Sequence, residues 1–226
     1  MSVSKNTGSG ASRGNSSFRA SISFRAMLKL GAILALYAAA ACVGLAFVHA
    51  GTEKVIAGRQ QADLEAALKE LFPDADSFRP ISHIASLDPA VTIDTAGSYG
   101  AIKNGTVVGA ALRVSRAGYN GALRILVGVE AGGRICGVKI LDHSETPGLG
   151  ANAASASYYV DRAGGIRFYE QFTGKNARDP FVIRQDVIAI TAATITSRAV
   201  AGAVKAAGEA ATAWLDSNPG FQGESR

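Results

Sequence analysis

"YGAIKNGTVVGAALRVS", Tyr99 to Ser115, holds two apolar runs separated by Asn104-Gly105. Both residues of that pair tolerate positive φ, as a type I′ turn requires, so the stretch predicts a β-hairpin. The following segment, "GALRILVGVEAGGRICGVKILDHS" from Gly121 to Ser144, repeats the pattern with Gly132-Gly133 at its turn. Two hairpins in succession predict an antiparallel or mixed sheet rather than the parallel sheet of an alternating βαβ chain.

Helical patterns flank these hairpins. Upstream, "QADLEAALKELFPDAD" spaces Leu64, Ala67, Leu68, Leu71 and Phe72 along one helical face and stops at Pro73. Downstream, a helix is expected from Ser197 to Asp216, with Val200, Val204, Ala207, Ala211, Trp214 and Leu215 along one side. Between them, "IRFYEQFTG" (Ile166 to Gly174) reads as a short amphipathic helix and "PFVIRQDVIAI" (Pro180 to Ile190) as a strand. The expected class is α+β, a sheet with flanking helices.

The 226 residues suffice for one domain and an attachment, and that attachment lies near the N-terminus. Leu30 to Ala50, "LGAILALYAAAACVGLAFVHA", carries no formal charge and matches the roughly 20 apolar residues that cross a bilayer as a helix. Much of the +5 net charge sits ahead of it, in Lys5, Arg13, Arg19, Arg25 and Lys29, which disfavours a general nucleic-acid surface. Glu53, Asp63, Glu65, Asp74 and Asp76 follow it. This asymmetry predicts a cytoplasmic N-terminus and a single crossing, with the main domain across the membrane, which in a Gram-negative bacterium means an inner-membrane anchor and a periplasmic domain. The run exceeds the roughly 7–15 residues of a cleaved signal, so it is read as a retained anchor. The expected organisation is a disordered tail over 1–25, a membrane helix over 26–50, a periplasmic domain over 51–216 and a tail over 217–226.

Several chemistries are disfavoured. His143, Ser144 and Glu145 are the residue types of a hydrolytic triad, but neighbours on an extended segment point to alternating sides. "GLGANA", Gly148 to Ala153, follows Glu-Thr-Pro rather than a strand, which removes it from dinucleotide-binding context. Cys42 and Cys136 fall in different phases, membrane and water, so no disulfide is expected, and no cysteine spacing suits zinc.

Two stretches stay open on their residues alone. "HSETPGLGA", His143 to Ala151, is either a rigid turn or a loop that presents a small site to a flat ligand. In "ITAATITSRAV", Ile190 to Val200, Thr196 and Ser197 read as N-caps of the last helix. Thr191 and Thr194 fall earlier, ahead of the helix N-terminus, where orphan amides and the macrodipole favour a phosphate.

Four segments in order, "GYNGALRILVGV" (118–129), "HSETPGLGA" (143–151), "FYEQFTGK" (168–175) and "TAATITSRAV" (191–200), resemble the FMN-binding G subunit of the Rnf electron transport complex. That family is related to the C subunit of the sodium-translocating NADH:quinone reductase. The resemblance spans roughly residues 25–215. It implies an electron-carrying flavoprotein subunit of an ion-translocating ferredoxin:NAD⁺ oxidoreductase, with no catalytic side chain and no metal of its own. It also implies covalent FMN, joined through its phosphate to Thr194 by a flavin transferase, with Thr191 in the motif's Ser/Thr position. Glu145, Thr146 and Leu149 are then expected near the flavin ring. Partners would be the other subunits of the complex, the transferase and the lipid bilayer, with no nucleic acid.

This chain departs from the family motif twice. Ile188 stands in the aspartate position, Asp186 being two residues early, and Ala192 stands in the glycine position. A requirement for positive φ there would strain Ala192. Two other readings fit the sequence: an anchored assembly subunit without flavin, and a periplasmic domain that binds a ligand reversibly.

Overall fold

A computed structural model describes residues 24–84 and 86–218. The expected tails therefore lie outside the described residues, save Phe24, Arg25, Ser217 and Asn218. The chain divides into two compact units, Met1–Ile56 and Ala57–Arg226.

The first unit holds most of helix α1, Phe24–Leu71, which continues into the second unit. Its N-terminal part is apolar on every side, and Leu36, Leu45 and Phe47 are all exposed. A helix without a polar face belongs in a protein core or a bilayer, and this one has the length and composition to cross a membrane. No proline interrupts the sequence between the apolar and the amphipathic stretches of α1.

The second unit is built on five antiparallel strands in simple meander order: β1 (Ser77–Pro80), β2 (Val91–Lys103), β3 (Thr106–Ala117), β4 (Ala122–Glu130) and β5 (Ile135–Asp142). The first hairpin turns as its sequence predicts, with Asn104 at φ +51° and Gly105 at +76°. The second adds a residue to its turn. The Gly133 amide donates to the Glu130 carbonyl at 2.8 Å, and Gly133 takes positive φ.

Side chains alternate across these strands, and each face buries against a helix. Ala110, Leu112 and Val114 of β3, with Ile125 and Val127 of β4, join the larger core beneath helix α2, Thr194–Ser217. Ala111 and Leu126 face the other way, onto Leu64, Ala67, Leu68 and Phe72 at the end of α1. The result is a three-layer α+β domain with an all-antiparallel sheet.

The segment between β5 and α2 corrects two expectations. "IRFYEQFTG" forms the two-residue strand β7 (Ile166–Arg167), paired with β6 (Tyr159–Asp161), and then a single 3₁₀ turn over Glu170–Phe172. Glycines on both sides leave too few residues for an α-helix to propagate. "PFVIRQDVIAI" is a knot of turns rather than a strand. Phe181 and Arg184 take positive φ, and the Asp186 carboxylate accepts from the amides of Phe181 (2.9 Å) and Val182 (2.5 Å). A side chain thus takes the donors that a sheet ladder would have used.

Cys42 and Cys136 are both free thiols. Burial first, and the charge of Glu130 second, push the Cys136 thiol up to about 12. At pH 8 its thiolate is then about one part in 10⁴, against roughly one in four for an ordinary thiol. Alkylation of Cys136 at pH 8, followed by peptide mass, is expected to run more than about a hundredfold slower in the folded chain than in urea.

Close packing against the sheet sets a second expectation. A Cβ at Gly109 would fall against the Phe72 ring and 2.6 Å from the Val129 carbonyl oxygen, which is backbone and cannot rotate away. Gly109→Ala should therefore destabilise the domain by about 1–3 kcal/mol, read as a lowered thermal midpoint.

Candidate functional site

Three loops meet at one end of the sheet. The β3–β4 connection, Gly118–Gly121, closes on itself through the Gly118 amide and the Gly121 carbonyl at 2.7 Å. After β5 the chain runs through His143–Ala151 into a 3₁₀ turn over Gly150–Ala153. The third element is the turn Ile190–Ala193 and the first turn of α2.

Glu145 joins all three. The residue is only 5% exposed, and a polar group at that depth needs hydrogen-bond partners. Oε1 accepts from the Tyr119 amide at 2.7 Å and the Asn120 amide at 3.3 Å. Oε2 accepts from the buried Thr196 hydroxyl at 2.8 Å. Asn120 Nδ2 also donates to the Ser144 carbonyl at 2.7 Å, a second tie between the first two loops. A Cβ at Gly118 would run into Oε1, and one at Gly150 into Oε2.

Helix α2 starts three residues earlier than its sequence predicts, at Thr194, and neither Thr196 nor Ser197 caps it. Ala193 holds the cap position with no side-chain bond. Thr196 is drawn inward to Glu145. The Ser197 hydroxyl accepts from the Ile190 amide at 2.9 Å and donates to the Ala193 carbonyl at 2.9 Å, which pinches the preceding turn shut. Hydroxyls that read as caps thus brace the turn from inside the helix. The first backbone bond of the helix runs from the Ser197 amide to Ala193, leaving the amides of Thr194, Ile195 and Thr196 without intrahelical acceptors.

Between the loops lies a cavity of about 380 Å³ lined by Tyr119, Glu145, Thr146, Leu149, Gly150 and residues 192–196. Four of the five expected site residues, Thr194, Glu145, Thr146 and Leu149, converge there from two regions of the sequence. Thr191 does not line it; it is exposed on the turn, and its amide donates to the Tyr158 hydroxyl at 3.3 Å. Glu145 borders the cavity with its carboxylate already engaged by protein donors. Tyr119 and Ile195, outside the set of expected site residues, add exposed apolar surface beside Leu149. The "GYNG" turn that presents Tyr119 is the one sequence signal for that wall.

The site is suited to a ligand with an anionic end and a flat apolar body. Free amides and the helix dipole receive the anion, the Thr194 hydroxyl stands at the first helical position, and Tyr119, Leu149 and Ile195 offer apolar contact. FMN has this division of chemistry, so the residues present fit it.

Comparison with known proteins agrees. An FMN-binding domain family matches residues 118–209, and the RnfG N-terminal region matches residues 20–71. Over 180 residues the chain is 32% identical to the G subunit of the ion-translocating oxidoreductase complex of Cereibacter sphaeroides, covering 74% of this chain and 76% of that protein. The chain belongs to the family of Rnf G subunits. It is also 32% identical to the G subunit of the Na⁺-translocating ferredoxin:NAD⁺ oxidoreductase complex of Acetobacterium woodii, over 74% of this chain and 81% of that one. The G subunit of the proton-translocating ferredoxin:NAD⁺ oxidoreductase complex of Clostridium ljungdahlii is 31% identical over 74% and 82%. Family membership and the apolar α1 helix together support membrane anchoring.

Both departures from the family motif have structural consequences. Asp186, spent on the Phe181 and Val182 amides, is not free to replace the aspartate missing at Ile188. Ile188 itself is exposed, and its amide donates to Gln171 Oε1 at 2.8 Å. Ala192 stands at φ +61°, the left-handed region that disfavours a Cβ. Ala192→Gly should relieve that strain and raise stability by about 0.5–1 kcal/mol in a denaturant melt, after the added backbone entropy of glycine is subtracted.

Proposed function

We propose that this subunit is an electron-carrying flavoprotein in which FMN is esterified through its phosphate to Thr194. The observation that carries the reading is that Thr194 lines one cavity together with the start of α2, whose first amides have no intrahelical acceptor, and with an apolar wall. In the linkage, Thr194 Oγ1 bonds to the flavin-side phosphorus of a flavin dinucleotide donor, the pyrophosphate P–O bond breaks, and the hydroxyl proton leaves with the nucleoside monophosphate, so the chain gains FMN less one water. The helix N-terminus stabilises the anionic ester, and Leu149 and Tyr119 shelter the ring. Bound there, FMN supplies one- and two-electron chemistry that no side chain lining the pocket offers.

The charge pattern supports a cytoplasmic tail over 1–25, a bacterial inner-membrane helix over 26–50 and a periplasmic flavin domain over 51–216, ahead of the tail at 217–226. Across the membrane a freely dissociating cofactor would be lost by diffusion, which is a reason for a covalent bond. Relatives named as subunits of ferredoxin:NAD⁺ oxidoreductase complexes support a role as an electron relay within such a complex, with its other subunits and a flavin transferase as partners.

Coexpression with a flavin transferase and intact-mass measurement tests the linkage. The wild-type chain is expected to gain FMN less one water and Thr194→Ala to gain nothing. An unmodified wild-type chain favours the assembly-subunit reading, and flavin that is retained reversibly in Thr194→Ala favours a ligand-binding domain.

A further inference from the structure

We infer that Glu145 is a positioning residue for the attachment threonine, acting through Thr196 rather than on the flavin. This rests on the reading of Thr194 as the esterified residue. The carboxylate acts as a clamp: one oxygen takes the Tyr119 and Asn120 amides of the β3–β4 turn, and the other takes the hydroxyl two residues after Thr194. Thr196 is 1% exposed, so its hydroxyl has no solvent to turn to once the carboxylate is removed. The glycines at 118 and 150 leave the space that the two oxygens occupy, and a Cβ at Gly150 would also sit 2.7 Å from the Thr196 hydroxyl. The side chain therefore fills a slot built for a carboxylate of this length.

The consequence concerns the first turn of α2. Ala193 caps it without a side-chain bond, Ala192 before it is in a strained conformation, and the amides of residues 194–196 lack intrahelical partners. Such a helix start is prone to fray, and a frayed turn scatters the Thr194 hydroxyl over many positions. The Thr196–Glu145 bond pins this turn to the β3–β4 loop. Glu145 thereby holds the acceptor hydroxyl in one place before the transferase meets it, and misplacing a reacting group by about 1 Å can slow a reaction by about 10²-fold.

The test is the initial rate of flavin incorporation into the full-length chain, by intact mass during a short transferase pulse, with thermal midpoints measured in parallel. Glu145→Ala and Thr196→Val should each slow incorporation about tenfold or more, while Thr196→Ser, which restores the hydroxyl, stays within about twofold of wild type. The double variant Glu145→Ala/Thr196→Val should be no slower than Glu145→Ala, since both changes break the same link. Thr212→Val is the matched control: it removes another buried α2 hydroxyl, bonded to the Gly208 carbonyl at 2.8 Å, and should leave the rate unchanged.

Wild-type rates in folded Thr196→Val and Glu145→Ala, or an equal loss in Thr212→Val, would overturn the positioning role alone. A wild-type chain that takes up no flavin would instead overturn the esterification reading on which it rests.

Discussion

A carboxylate cannot remain in a protein interior without donors around it, and the end of this domain is arranged to supply them. Leaving such a group unpaired would cost several kcal/mol, more than most single contacts in a domain of this size contribute. Glu145 therefore holds its surroundings as firmly as they hold it. Two backbone amides from one loop and a hydroxyl from a helix converge on it, fixing three segments that are separate in sequence. The cavity beside it exists because those segments cannot drift apart.

The sheet does the rest of the placement. A five-stranded meander returns the β3–β4 turn and the end of β5 to the same end of the sheet, and α2 packs across β3 and β4 so that its N-terminus arrives there too. The other face rests on the end of α1. A flavin domain on a membrane-anchored chain needs little more from its scaffold: a rigid edge, a helix start for an anion and apolar side chains for a ring. The redox chemistry is the cofactor's.

How far the sequence discloses this depends on whether the signal is local. The Asn104-Gly105 hairpin, the apolar α1 stretch and the stop at Pro73 are legible because each is settled by a few neighbouring residues. The strain at Ala192 is legible only through the family resemblance, because Ala192 stands where the motif has glycine. Thr196 looks like a cap because local rules see a hydroxyl near a helix start and cannot see a buried acceptor 51 residues away, while Ser197 spends its hydroxyl on the preceding turn. The segment over Pro180 to Ile190 looks like a strand, yet Asp186, a single side chain, outcompetes a strand ladder for its backbone. Hydrogen bonds made by side chains, one spanning 51 residues and the others no more than seven, rather than hydrophobic patterning, account for most of what the sequence conceals.

The proposed bond between flavin and Thr194 is tested most directly by phosphorus NMR of the purified, flavin-loaded chain across a pH titration. A phosphate esterified to both FMN and Thr194 has no second ionisation, so its resonance should not move as pH passes the region near about 6 where a monoester titrates. A resonance that shifts through that region would show a free phosphomonoester, and would contradict the covalent account.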